Sequence, residues 1–286
     1  MLTREEFIKD RERVFDKVYG ALSGLAIGDS FGDASRMQDN RVNYAVTTDF
    51  NKGASWSTDD TEFALLTAKT LIRCHGKLTT EEVVKSWMED VVCQDEYKRG
   101  GASEIEAANN LRKGLLPPLS GKFNTFHMSD GSSMRIGPVG ILCAGDPEKA
   151  KEYAEIESNV SHYRDGIWGA QAVAAAVSVA MVDGTMDEII EAAMSAIPED
   201  SWLYHNMTGA FKLLEERGSL LNAWMDLHDF LWTSSWATTA ISNLVGHGVI
   251  QGNNDYIKPM DPITYEISIP LSPIELVSPD VHRLEV

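Results

Sequence analysis

Apolar residues recur at helical spacing along most of the chain. Within residues 4–27 the apolar positions three, four or seven residues apart are Phe7, Val14, Val18, Leu22 and Leu25, with charged residues between them. Comparable patterns predict further helices over residues 57–74, 79–93, 103–113, 147–158, 165–182, 186–196, 205–217 and 220–231. The sequence therefore predicts an all-α body that forms a single domain over residues 1–254.

Three segments interrupt the helical pattern. Gly28–Gly32 is a glycine-punctuated turn after the first helix, and residues 119–137 are polar and glycine-rich without periodicity, which predicts a loop. From Asp255 onward prolines recur among β-branched residues, which excludes helix and predicts an extended arm over residues 255–286. About 30 residues cannot form a core of their own, so this arm is not an independent domain.

Charge and cysteine content narrow the classes of partner and compartment. The chain has 286 residues and a formal net charge of −18, which disfavours contact with nucleic acid or anionic lipid. No apolar run reaches the roughly 18 residues that a membrane span needs, and the charged N-terminus lacks the apolar core of a signal peptide. Three widely spaced cysteines argue against a disulfide framework. We therefore expect a cytoplasmic protein without nucleic-acid or membrane partners.

The densest cluster of acidic and hydroxyl side chains is Trp56–Thr61, which includes Thr58, Asp59 and Asp60. One interpretation is helix capping by Ser57 or Thr58, since side-chain oxygens accept the free N–H groups of a first turn and negative charge suits the helix dipole. The other is a metal site. Capping needs only one such residue, and clustered oxygen ligands suit Mg²⁺ or Mn²⁺.

A second candidate is the segment Gly131–Gly140, which combines glycines with Ser132, Ser133 and Arg135. Backbone N–H groups, hydroxyls and a guanidinium in such a loop can hold a phosphate or a ribose. The alternative is an ordinary join between a loop and a helix, with Arg135 in a structural salt bridge.

Two shorter motifs carry ionisable side chains. Asp29 follows a buried helix within Gly28–Gly32, so it either points into a cleft or forms an Asx-turn. His162, in Ser161-His162, stands just before a predicted helix. A structural hydrogen bond is the commoner role for such a histidine, and a functional one is the alternative.

Taken in order, these motifs resemble those of the ADP-ribosylglycohydrolase family over roughly residues 15–245. That family has Gly-Asp-x-x-Gly, Trp-x-Thr-Asp-Asp-Thr, a Met-Arg loop and Thr/Ser-His, which here are Gly28–Gly32, Trp56–Thr61, Gly131–Gly140 and Ser161-His162. The resemblance implies an orthogonal helical bundle that cleaves N- or O-glycosidic bonds of ADP-ribose with two Mg²⁺ or Mn²⁺ ions. The implied substrate is an ADP-ribosylated protein or a ribosylated small molecule.

The resemblance also implies roles for individual residues. The catalytic candidates are Asp59, Asp60 and Asp29. The metal ligands would be Thr58, Asp59, Asp60 and Thr238. The substrate-binding candidates are Ser132, Ser133, Met134, Arg135 and His162. Arg36 is a further candidate because its positive charge could pair with a phosphate, although the resemblance does not imply it.

The chain departs from the family pattern where a second pair of metal ligands is expected. The family motif Gly-Gly-Asp-x-Asp-Thr is matched here by a segment in which only Thr238 is kept, and Ser235 and Ala237 replace the aspartates. Arg36 stands where the family often has Glu. Two dications about 4 Å apart repel each other and need several carboxylates, so we expect one ion rather than two.

We therefore expect a hydrolase that cleaves the glycosidic bond of an ADP-ribosyl or ribosyl substrate. The alternative is an altered or silent member that binds an ADP-ribose-like or nucleoside-like ligand, or acts on a small N-ribosyl metabolite. The arm over residues 255–286 would allow a homodimer.

Overall fold

The computed structural model describes residues 1–35, 57–94, 100–219, 222–223 and 226–227, and this part of the chain is mainly helical. The helices are α1 (Arg4–Lys9), α2 (Arg11–Ser35), α3 (Asp59–Arg73), α4 (Thr80–Trp87), α5 (Ala102–Arg112), α6 (Leu119–Lys122), α7 (Gly137–Leu142), α8 (Pro147–Ser158), α9 (Asp165–Ala180), α10 (Met186–Met194) and α11 (Trp202–Arg217). A π-helical turn, Met88–Val92, continues α4. These described residues contain no β-strand, so the all-α prediction is confirmed.

Helix α9 lies at the centre of the described bundle. It packs against α7, α8 and α10, and its Ala170, Ala172, Ala174 and Ala175 are wholly buried. These small side chains allow close approach: a Cβ added at Gly140 of α7 would lie 2.7 Å from the carbonyl oxygen of Ala174. Tight packing of this kind leaves little room for movement. It fixes α7 and therefore the end of the loop that precedes α7.

The amino-terminal segment forms two helices, which corrects the prediction of one helix over residues 4–27. Asp10 ends α1, and its carboxylate accepts a hydrogen bond from the backbone N–H of Arg13 at 3.1 Å. A side-chain oxygen that accepts a first-turn N–H favours the start of a new helix. The chain therefore restarts as α2 immediately after Asp10.

The glycine turn predicted at Gly28–Gly32 is wrong, because α2 continues through it to Ser35. Each glycine lowers the stability of a helix by about 1 kcal/mol relative to alanine. Tertiary contacts offset that cost here. Leu25 is buried against α7, where a Cβ added at Gly137 would lie 3.3 Å from it, and Asp29 bonds to the start of α3.

Residues 119–137, predicted as a loop, contain the short helix α6 followed by turns. The segment is packed against its neighbours despite its polar sequence. A Cβ added at Gly121 would lie 2.4 Å from the carbonyl oxygen of His162. The buried Asn124 side chain donates to the carbonyl oxygen of Ser103 at 2.7 Å. Polar side chains that bond to backbone groups replace helical periodicity as the source of order.

Two sequence predictions fall mainly outside the described residues. Most of the helix predicted over residues 220–231 and the whole arm over residues 255–286 lie there. Within the described part, no helix combines the length and the apolar character needed to cross a bilayer.

Candidate functional site

The first turn of α3 carries two buried carboxylates. Asp59 and Asp60 are 5% and 2% exposed, and they directly follow Thr58, the residue that precedes the helix. The free N–H groups of a helix start favour negative charge. Phe63 and Thr67 continue the same buried face of α3. The sequence therefore places the acidic motif at the buried end of a helix.

A carboxylate from another helix caps α3. Ser57 or Thr58 was the predicted cap; Thr58 holds the N-cap position, but its side chain makes no capping hydrogen bond. Asp29 of α2 is the cap instead: its Oδ2 accepts the backbone N–H groups of Thr58 at 2.7 Å and Thr61 at 3.2 Å, and the Thr61 hydroxyl at 2.5 Å. Its Oδ1 accepts the Thr58 hydroxyl at 2.5 Å. The structure thus brings Asp29 to the Thr58–Asp60 motif.

The oxygen donors at this helix start fit one hard cation. Mg²⁺ is usually bound by one or two carboxylates, with water or phosphate oxygens in the other positions. Asp59, Asp60 and the Thr58 hydroxyl supply such a set. In the described ranges no group of three or more His, Cys, Asp or Glu side chains is arranged to hold a metal. The set contains two carboxylates and one hydroxyl, and the number of ions that it binds stays a prediction.

Arg135 is fully buried, and its guanidinium bonds within the protein. Two of its nitrogens bond to carboxylates: Nε donates to Oε1 of Glu157 at 2.8 Å, and Nη1 donates to Oε1 of Glu104 at 3.0 Å. Nη1 also donates to the carbonyl oxygen of Gly131 at 2.7 Å. Nη2 donates to the Ser161 hydroxyl at 2.7 Å. Two carboxylates and one guanidinium make a charged group that water does not reach. This is the structural salt bridge that the sequence left open as the alternative for Arg135.

Aromatic rings connect this buried ion group to α3. The guanidinium carbon of Arg135 lies 6.0 Å from the ring centroid of Phe63 and 5.3 Å from that of Trp87. Phe63 is one helical turn from Asp59, and Thr67 donates to Oε1 of Glu157 at 3.3 Å. The loop that carries Arg135 therefore supports the buried face of α3 on which the acidic motif lies.

His162 is fully buried between two hydroxyl groups. Its Nδ1 lies 2.7 Å from the Ser161 hydroxyl oxygen, and its Nε2 lies 3.0 Å from that of Ser129. Burial holds the pKa of His162 well below its ordinary value, and the charges of Arg135 and His127 act in the same direction. The imidazole is therefore neutral at pH 7.

Two tautomers of His162 fit its neighbours. Ser161 accepts a hydrogen bond from Arg135 and can either donate to Nδ1 of His162 or accept from it. Ser129 correspondingly accepts from Nε2 or donates to it. In both tautomers each ring nitrogen has a hydroxyl partner, so His162 occupies a structural hydrogen-bonding position.

The remaining loop residues differ in their surroundings. The Ser132 hydroxyl donates to the carbonyl oxygen of Gly166 at 2.8 Å, which ties the loop to α9. Met134 is buried in the main apolar core. The Ser133 hydroxyl is buried and has no hydrogen-bond partner among the described residues. Of the loop residues predicted to bind substrate, Ser133 therefore has a side-chain group left for a ligand.

Several residues of the predicted site lie outside the described residues. These are Arg36, Thr238 and the two positions, Ser235 and Ala237, at which the family has aspartate. Their predicted roles stay predictions.

The buried ion pairs of Glu104 and Glu157 with Arg135 were not predicted, although the sequence contains a signal for them. On α5, Glu104 lies in line with a buried apolar face made of Ala107, Ala108 and Leu111. On α8, Glu157 lies in line with a buried face made of Ala150, Tyr153 and Ala154. A carboxylate in line with an apolar helix face is buried with that face. Buried charges need partners, so the two faces indicate a buried cation.

The sequence was compared with those of known proteins and protein families. A profile described as ADP-ribosylglycohydrolase matches residues 10–262. An uncharacterized protein of Archaeoglobus fulgidus is 27% identical over 188 residues, which span 62% of this chain and 59% of that protein. Uncharacterized protein YegU of Escherichia coli is 27% identical over 188 residues, 59% of this chain and 55% of YegU. The aligned region thus spans somewhat over half the length of these relatives.

The profile match covers most of the chain and includes all four motifs described above. The helical architecture agrees with it, since the described residues form α-helices joined by turns. The chain belongs to the ADP-ribosylglycohydrolase family.

Proposed function

We propose that this protein hydrolyses the glycosidic bond of an ADP-ribosyl or ribosyl substrate, with assistance from one Mg²⁺ or Mn²⁺ ion. Family membership suggests glycosidic hydrolysis. The observation that carries the proposal is the buried pair Asp59 and Asp60 at the start of α3. Thr58, Asp59 and Asp60 would hold the ion, which would supply positive charge to the reacting oxygens.

The side chains of the chain would perform three tasks in this reaction. Asp59 or Asp60 would accept a hydrogen bond from a water molecule and orient it toward the anomeric carbon. The Ser133 hydroxyl, buried without a described partner, would contact the ribose or a phosphate. The Arg135 network would hold the loop and α3 in register, because its donors go to Glu157, Glu104, Gly131 and Ser161.

A second function is favoured by one feature of the sequence. Ser235 and Ala237 stand where the family has the second pair of metal-ligating aspartates. A member that lost those ligands could bind an ADP-ribose-like or nucleoside-like ligand without cleaving it, or act on a small N-ribosyl metabolite. Calorimetry that shows binding of an ADP-ribosylated or N-ribosyl substrate, with no ribosyl product after prolonged incubation, would favour this second function.

The deciding experiment measures release of ribosyl product. Purified protein is incubated with Mg²⁺ or Mn²⁺ and with ADP-ribosylated protein, ADP-ribosylated small molecules and N-ribosyl nucleosides in turn. We expect release from at least one class, and a loss of roughly 100-fold or more in Asp59→Asn/Asp60→Asn. Asp187→Asn, an exposed aspartate in the first turn of α10, is the matched control and should keep full activity. No release from any class would contradict the proposal.

The partner and location predictions extend this proposal. The net charge of −18 supports a protein that binds neither nucleic acid nor membranes, and we keep the cytoplasm as its proposed location. We propose that residues 255–286 join two copies of the chain. Sedimentation of the full chain and of residues 1–254 would test this: a dimer in both, or a monomer in both, would contradict a role for the arm.

A further inference from the structure

We infer that Asp29 is a positioning residue that fixes the direction of the Thr58 hydroxyl, so that its oxygen presents only lone pairs to a cation. This inference rests on the metal site proposed above. It replaces the predicted catalytic role of Asp29, because the four hydrogen bonds described for this carboxylate all come from the start of α3. Asp29 is 3% exposed and acts on Thr58 rather than on substrate.

The direction of the hydrogen bond between Thr58 and Asp29 follows from the chemistry of the two groups. An ionised carboxylate only accepts hydrogen bonds, whereas a hydroxyl can donate one and accept two. The Thr58 hydroxyl, 2.5 Å from Oδ1 of Asp29, must therefore donate. Its hydrogen is directed at Asp29, which leaves both oxygen lone pairs for other contacts. A neighbouring group that orients a ligand in this way commonly tunes metal affinity.

The two oxygens of Asp29 have separate tasks. Oδ2 accepts three donors, the N–H groups of Thr58 and Thr61 and the Thr61 hydroxyl, and thereby caps α3. Oδ1 accepts the Thr58 hydroxyl. Asparagine keeps one oxygen and replaces the other by an NH₂ donor. In Asp29→Asn the remaining oxygen makes most hydrogen bonds in the place of Oδ2, where it accepts all three of those donors. The NH₂ group then takes the place of Oδ1 and faces the Thr58 hydroxyl.

That substitution reverses one hydrogen bond while it keeps the cap. The NH₂ group of the introduced asparagine would donate to the Thr58 hydroxyl oxygen. This bond would occupy one lone pair of that oxygen, and the hydroxyl hydrogen of Thr58 would turn away from the substituted side chain. A hydroxyl hydrogen directed at a cation repels it. The cation site should weaken although α3 keeps its start and the fold is retained.

The experiment measures Mn²⁺ affinity by calorimetry and the melting temperature of the metal-free protein. We expect Asp29→Asn to weaken Mn²⁺ binding by roughly 10- to 100-fold. Its melting temperature should fall by less than half as much as that of Asp29→Ala, which loses the cap as well. Asp16→Asn, an exposed aspartate on the same helix, should change neither quantity.

A double-mutant cycle shows whether Asp29 acts through Thr58. Thr58→Val removes the hydroxyl but keeps the backbone N–H, so adding Asp29→Asn to it should cause less than about a 2-fold further loss of Mn²⁺ affinity. Equal affinity of wild type and Asp29→Asn would overturn the inference and leave the metal site standing. The inference would also be overturned if Asp29→Asn weakened Mn²⁺ binding in the Thr58→Val background as much as it does in the wild type. Absence of Mn²⁺ binding in the wild type would overturn the proposed metal site, and the inference with it.

Discussion

Nε of Arg135 donates a hydrogen bond to Oε1 of Glu157 across 2.8 Å, and the exposed fractions of the two side chains are 0% and 4%. Glu104, at 3.0 Å from Nη1, balances the guanidinium further, and the Phe63 and Trp87 rings cover it. The segments that carry these side chains are far apart along the chain, and they meet only when the bundle forms. The ion group therefore belongs to the architecture that holds α3.

Replacing Arg135 should destabilise the protein strongly. Arg135→Lys keeps one positive charge but supplies three donors from a single nitrogen, so it cannot reach Glu157, Glu104, Gly131 and Ser161 together. A buried carboxylate that loses its partner costs about 3–5 kcal/mol. We expect a loss of about that size in the free energy of unfolding, measured by urea titration.

An exposed ion pair gives the control for that measurement. Arg217 donates to Asp226 at 2.5 Å, and both side chains are exposed. Arg217→Lys should leave the free energy of unfolding almost unchanged, because exposed ion pairs contribute little to stability. A similarly small effect for Arg135→Lys would show that the buried group is not a structural support.

The contact between α7 and α9 should tolerate no added atom at Gly140. A Cβ there would lie 2.6 Å from Cβ of Val177 and 2.7 Å from the carbonyl oxygen of Ala174. Overpacking of this kind costs about 1–3 kcal/mol, so Gly140→Ala should lower the free energy of unfolding by that amount. At Gly20 of α2 no described atom lies within 4 Å of an added Cβ. Gly20→Ala should be neutral or stabilising by up to about 1 kcal/mol, and equal effects at the two glycines would refute the packing argument.

Burial of His162 should make stability depend on pH. Its pKa is held well below the ordinary value, so the folded protein keeps it neutral while the unfolded chain binds a proton below about pH 6.5. Above that pH the imidazole is neutral in both the folded and the unfolded state, so its full contribution to the free energy of unfolding is present. It is lost as pH falls, by up to roughly 1.4 kcal/mol per pH unit until the folded-state pKa is reached.

Urea unfolding between pH 8 and pH 5.5 tests this dependence. His162→Gln keeps hydrogen-bonding atoms beside Ser161 and Ser129 but cannot titrate, so its stability should fall less than that of wild type over this range. His205→Gln, at an exposed position stacked on Trp202, should follow the wild-type curve. Parallel curves for wild type and His162→Gln would mean that His162 titrates normally.

Local patterns in the sequence predicted much of the fold. The predicted helix over residues 147–158 matches α8, because Pro147 and the Asp146 cap mark its start. Thr79 likewise accepts the N–H of Glu82 at the start of α4. These capping signals lie within a few residues of the helix starts that they determine, so they can be read from one sequence.

The parts that failed depend on contacts between distant residues. Arg135 was a candidate for binding substrate phosphate, and only its partners, 22 and 31 residues away in sequence, show that it is buried. The helix through Gly28–Gly32 was missed because the contacts that favour it include hydrogen bonds that Asp29 accepts from the distant Thr58 and Thr61. Local propensity favoured a turn, and the tertiary contacts outweighed it.

Calorimetric titration of Mn²⁺ into the metal-free protein tests the proposed metal site directly. The same titration on Asp59→Asn/Asp60→Asn shows whether binding depends on the first turn of α3. We expect the wild type to bind one Mn²⁺ ion and the double variant to bind none. Absence of binding in the wild type, or equal binding in both proteins, would contradict a metal-assisted site at Thr58, Asp59 and Asp60.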